Sequence, residues 1–200
     1  MATSVVQIVN NALIKIGANA IISLTEDSEA ARAANVMYEQ VRDATIRDHI
    51  WNFAVARVEL AQSVETPAFR FAFQYQLPSN CLRVLQMEDV NMVYKIEGRK
   101  LLTDEGTAKI MYLGKVTDVN EYDSMFVEAL SARLAAELAI TLAESNSLYQ
   151  NMMEMYRFKI ADARSADAQE SGYSEVIADT WLDSRMNYAG GLTVSVNGTT

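Results

Sequence analysis

Phe126-Val127-Glu128-Ala129-Leu130-Ser131-Ala132-Arg133-Leu134-Ala135-Ala136-Glu137-Leu138-Ala139-Ile140-Thr141-Leu142-Ala143 carries the clearest period in the chain. Phe126, Leu130, Leu134, Leu138 and Leu142 advance four residues at a time, backed by Ala132, Ala135, Ala136, Ala139 and Ala143, which is helical spacing. This helix is expected to begin near Asp123. Ser145-Asn146-Ser147 interrupts it, and Tyr149, Met152, Met153, Tyr156, Ile160 and Ala163 then mark a last long helix reaching about Ala168. A short break between two long helices predicts an antiparallel hairpin.

Towards the N-terminus, Val5, Ile8, Val9, Leu13 and Ile16 recur at helical spacing and stop at Gly17, a residue that takes the left-handed conformation without a side-chain clash. A first helix is expected over about Ser4 to Ile16. The stretch from Ile21 to Asp27 leads into Ser28-Glu29-Ala30-Ala31, where Thr25, Asp27 and Ser28 are each able to cap the free amides of a helix start. The second helix is expected over about Ser28 to His49. Ala30, Ala34, Met37, Val41 and Ala44 form its inward stripe, with Arg32, Glu39, Arg42, Asp43 and Arg47 mostly displaced from it.

Between the helical parts the chain changes character, to short runs of β-branched and aromatic residues broken by Pro67, Pro78, Gly98, Gly106 and Gly114. Strands are expected near Val55 to Leu60, Phe71 to Gln76, Leu82 to Met87, Val93 to Glu97 and Lys109 to Leu113, with a hairpin from Tyr94 to Thr103 turning near Gly98. Beyond Gly172 the periodicity fades into a Gly, Ser, Thr and Asn-rich end. The expected fold class is therefore mainly α with an inserted small β module (α+β). It comprises N-terminal bundle helices over 1–54, the β module over 55–118, a C-terminal helical hairpin over 119–170 and an extended tail over 171–200.

The 200 residues are 50% apolar and 22% charged, enough for one core-forming domain. With 17 basic against 26 acidic residues the formal net charge is -9, which disfavours a protein that grips a phosphate backbone. The one cysteine, Cys81, has no intrachain disulfide partner, and the one histidine, His49, cannot build a multi-histidine metal site. No metal and no cofactor are expected. The first basic residue is Lys15, and Val5 to Leu24 carries Gln7, Asn10, Asn11, Lys15 and Asn19, so neither a secretory signal nor a membrane span is expected and the reading is a cytoplasmic product.

Catalytic candidates are few. Glu88-Asp89, Asp104-Glu105 and Asp118 would serve as paired carboxylates if the fold brought them together, since glycoside hydrolysis needs two carboxyl groups at a set separation. Acidic groups at strand ends are more often only solvated. His49 lacks a nucleophile motif and reads as a helix-end histidine on the last carbonyls. Cys81, ahead of an apolar strand, reads as a small buried side chain. Neither phosphate-binding glycine pattern is present. Met152, Met153 and Met155 span several faces of one helix, so at least one is expected outside the core. Trp181, with Tyr173, Leu182, Met186 and Tyr188, lies in a segment without core periodicity, and must either fold back on the body or bury itself in a partner.

Several of these segments together resemble the head-to-tail adaptor of short-tailed bacteriophages, the tail tubular protein A family. The resemblance is carried by Leu13-Ile14-Lys15-Ile16-Gly17, by Ile22-Ser23-Leu24-Thr25-Glu26-Asp27-Ser28 leading into Ala30-Ala31 and Asn35, and by Arg42-Asp43 followed by Trp51-Asn52-Phe53-Ala54. It continues through Leu77-Pro78 with Leu82-Arg83, the strand pair about Gly98 and the two long helices, covering roughly Val5 to Arg185. Asn80 stands where the family leads one to expect aspartate, and Asn187 to Thr200 matches nothing in it.

What the resemblance implies is a non-enzymatic virion protein assembled in the host cytoplasm. It would be a homo-oligomeric ring of about twelve copies between the portal protein and a tail nozzle protein of the tail tubular protein B type. Double-stranded DNA would pass through the lumen without specific contact, and an acidic ring would repel it during passage. The tail would reach the portal through Tyr173, Trp181, Leu182, Arg185 and Tyr188, and Arg32, Arg42, Met152 and Met155 would lie where neighbouring subunits pack. No membrane partner is implied. A carboxylate-dependent tail-associated glycan hydrolase is the alternative from a different class, and a monomeric helical regulator is a third.

Overall fold

Short polar side chains start the helices of the computed structural model, which describes residues 4–170. The Ser4 hydroxyl accepts from the Gln7 amide at 3.1 Å ahead of α1 (Val5–Lys15), and the Ser28 hydroxyl accepts from the Ala31 amide at 3.2 Å ahead of α2 (Glu29–Arg47). Each supplies an acceptor to an amide that has no partner inside its helix. Gly17, at φ 74°, turns the chain away after α1.

Six strands follow: β1 (Val55–Leu60), β2 (Phe73–Gln76), β3 (Cys81–Met87), β4 (Tyr94–Glu97), β5 (Lys100–Thr103) and β6 (Ala108–Gly114). They make two antiparallel three-stranded sheets, ordered β1-β6-β3 and β2-β5-β4. The hairpin at Gly98 is β4 with β5, and Gly98 takes φ 59° in its turn. The two sheets are tied by the Gln62–Tyr75 bridge and by the Ser63 amide donating to the Gln74 carbonyl at 2.9 Å. The fold is thus mixed α and β, with strands inserted between two helical parts.

Asp123 accepts from the amides of Met125 and Phe126, at 2.7 and 3.3 Å, and starts α3 (Ser124–Ala143). Glu144, at φ 47°, ends it in a left-handed conformation, and α4 (Asn146–Glu170) begins two residues later. The expected break at Ser145-Asn146-Ser147 is therefore tighter, since Asn146 and Ser147 are already helical. The two helices run antiparallel: Glu128 pairs with Lys159, and further along α3 the Arg133 guanidinium lies 5.1 Å over the Tyr156 ring.

α3 is buried over most of its surface, through Phe126, Ala129, Leu130, Leu134, Ala135, Ala136 and Leu138, and exposes Glu128, Ile140 and Thr141. A helix with so wide an apolar surface belongs among its neighbours, and α1, α2 and α4 each pack against it. Its alanines let those helices approach closely. The second helix corrects the expected stripe by about one residue. Its buried set is Ala31, Ala34, Tyr38, Val41, Arg42, Thr45 and Ile46, while Ala44 faces solvent. A second apolar cluster, including Leu60, Tyr75, Met87, Leu101, Ile110 and Tyr112, fills the β module. β3 and β6 serve both clusters: Leu82, Leu85 and Leu113 reach the helical core.

Candidate interaction surface

The residues that carry the family resemblance hold the fold. In the turn before α2, the Glu26 carboxylate accepts from the Ile22 amide and the Ser28 hydroxyl, each at 2.7 Å, and these bonds hold its proton affinity below the ordinary carboxylate range. Arg42 is 3% exposed, donates from Nε to Asp43 at 2.8 Å and lies 5.7 Å from the Tyr38 ring centre. Asp43 also meets Lys115 at 3.1 Å, which ties α2 to the strand end after β6. Burial, reinforced by Tyr38, pushes the Tyr122 hydroxyl far above its ordinary value. Trp51 is fully buried, donates from Nε1 to the Thr45 carbonyl at 3.1 Å and packs edge-on against Phe126 at 5.0 Å. Phe53 joins the same aromatic cluster through Tyr122 and Phe126.

Of the four expected subunit-contact residues, two are buried within the chain and two reach its surface. Arg42 and Met152 are buried inside the chain's own helical core, Arg42 with its Nε held by Asp43 and its guanidinium against the Tyr38 ring, and Met152 among the apolar side chains of that core. Arg32 is exposed and pairs with Asp27, and Met155 is half-buried at the core margin. Tyr173, Trp181, Leu182, Arg185 and Tyr188 lie outside the described residues.

The acidic candidates are held by separate local partners. Glu88 pairs with Lys109 at 3.1 Å, Asp89 accepts from the Asn91 amide at 2.8 Å, and Asp104 accepts from the Ala72 amide at 2.8 Å. Asp118 accepts from the Asn120 amide at 2.9 Å, and Glu105 is exposed. Cys81 is buried in the module cluster and burial pushes its thiol up, as a small core side chain requires.

His49 differs from its sequence reading. It lies past the end of α2, and its partners are side chains rather than the last carbonyls. Nε2 stands 3.3 Å from Asp167 Oδ2, and the ring meets Trp51 edge-on at 4.7 Å. Burial lowers its proton affinity; Asp167 opposes this, and Arg164 and Arg83 add to it. Asp167 is itself buried on α4 and accepts from the Asn52 amide at 2.9 Å, while Arg164 donates to Asp48 Oδ2 at 3.0 Å. No local pattern announces this joint, because its members come from α4, β3 and the turn after α2.

The outer faces of the helices present apolar side chains: Ile14 on α1, Val36 on α2, Ile140 on α3 and Phe158 on α4, the last 75% exposed. At the module, Val64 and Phe69 project from the loop between β1 and β2, beside Arg70 at φ 75°. None of the helices in the described residues is long and apolar enough to cross a membrane. No model of a known protein family matches the chain, and no curated protein matches it.

Proposed function

We propose that this chain is a virion structural protein, a head-to-tail adaptor of a short-tailed bacteriophage. In this reading its helices form an antiparallel bundle carrying the β module. About twelve copies close into a ring between the portal and a tail nozzle protein, with double-stranded DNA passing through the lumen. The tail over 171–200 carries Trp181, Leu182 and Arg185 to the portal, and the outer helix faces, with Arg32 and Met155 at their margins, meet neighbouring copies. Assembly takes place in the host cytoplasm and the product resides in the neck of the virion.

The observation that supports the reading most directly is that each of the four helices presents at least one large apolar side chain outward, with Phe158 the most exposed of them. A large exposed aromatic on a helix is a favoured anchor of protein contacts. The test is the light-scattering mass of this protein mixed with the portal protein encoded in the same genome, against each alone. The expected result is a defined complex carrying many adaptor copies per portal ring. Two folded components that stay separate would overturn it.

A further inference from the structure

The joint where β3 meets the turn after α2 and the end of α4 gathers positive groups, some of whose nitrogens lack acceptors. Arg47 donates to the Leu82 carbonyl, one residue from Arg83, and neither Arg47 nor Arg83 has a carboxylate partner among the described residues. Arg164 reaches Asp48 at 3.0 Å, beside His49. Three donors here are buried without an aligned acceptor: Nε of Arg83, Nε of Arg164, and Nε2 of His49, which approaches Asp167 without the alignment of a hydrogen bond. Buried donors left unpaired are costly, and native proteins supply them with a partner.

The local charge is opposite in sign to that of the whole chain. Asp48 and Asp167 are the carboxylates facing the joint, and Tyr156 adds a neutral hydroxyl 3.5 Å from Asp48. Against these two negative groups stand the guanidinium groups of Arg47, Arg83 and Arg164 and a protonatable imidazole, in a chain of net charge -9. We propose that this joint binds a small phosphate-class oxyanion, with Arg83, Arg164 and His49 as its donors. A tetrahedral oxyanion offers acceptors in several directions at once, which suits donors arriving from β3, α4 and the intervening turn, and guanidinium groups match its oxygens. The net negative charge repels a polyanion much more strongly than a small ion, whose few charges the local guanidinium groups offset. The site does not depend on the adaptor reading.

The test titrates the full chain with inorganic phosphate at constant ionic strength, chloride balancing the salt, and follows melting temperature and phosphorus NMR line width. Saturable stabilisation with line broadening is expected, because a ligand of the folded state raises its melting temperature by mass action. Arg83→Gln and, separately, Arg164→Lys are each expected to weaken binding about tenfold or more, as loss of a charge-assisted bond implies. Arg57→Gln, on β1 outside the joint, is expected to leave it unchanged. The proposal fails if the unmodified protein shows no saturable response, which needs no variant to fold. It fails equally if Arg57→Gln weakens binding as much as Arg83→Gln, or if a short DNA duplex binds more tightly than phosphate.

Discussion

At the scale of single residues, His49 couples folding to mild acid. Burial holds its proton affinity below the ordinary imidazole value of 6.5, so the unfolded chain takes up a proton that the folded chain resists. Stability is therefore unaffected by this group above pH 6.5 and falls as the pH drops below it, down to the lowered value of the folded state. Glu26 and Glu128, held below their ordinary 4.5, weaken the fold only in stronger acid. Since the chain has one histidine, urea midpoints at pH 7.5 and pH 5 in phosphate-free buffer isolate it. His49→Gln should flatten the decline seen in the unmodified protein, and an equal decline in both would refute the assignment. Cys81 was legible as a small buried side chain because its neighbours form an apolar strand. The partner of His49 was not, since Asp167 lies far along the chain and only the packing of α4 brings it near.

At the scale of elements, the turn between α3 and α4 rests on Glu144 at φ 47°, a region in which a side chain crowds the backbone. Glu144→Gly should stabilise the protein by about 1 kcal/mol, the order of the left-handed penalty it removes. Urea denaturation measures it directly, and a destabilised variant would show that the glutamate stem contributes more than its backbone costs. The long helices were legible because apolar residues recur at 3.6 spacing over many turns, and β1 was legible to the residue because Val, Ala and Leu alternate with charge. The stripe of α2 was misread for a physical reason. A pattern of apolar against charged residues places Arg42 outside, but its guanidinium lies against the Tyr38 ring and is bound by Asp43, so the charged residue lies within the buried face.

At the scale of the whole molecule, the outward Phe158 is the residue at which folding and the proposed assembly can be tested apart. Phe158→Asp should leave the melting temperature of the isolated chain nearly unchanged while weakening its association by about 2 kcal/mol, the size of a contact anchor. Melting temperature together with the light-scattering mass of the portal mixture reads both, and a fall in melting temperature alone would make Phe158 a stability residue. The order of helices and strands was legible throughout, whereas the division of the strands into two sheets was not. Local alternation marks a strand without naming its partner, and β6 lies between β1 and β3 only through pairings distant in sequence. One of those pairings reaches beyond folding. Val55 stands opposite Leu113, so the chain leaves the helical body and re-enters it at neighbouring backbone positions. The span between them departs and returns as a turn does, and only β3 within it comes back to the helices, through Leu82 and Leu85. Insertions and deletions in the loop carrying Val64 and Phe69, which joins neither apolar cluster, would leave the packing of α2 and α3 unchanged, so that loop is free to vary in length while the helical scaffold stays constant.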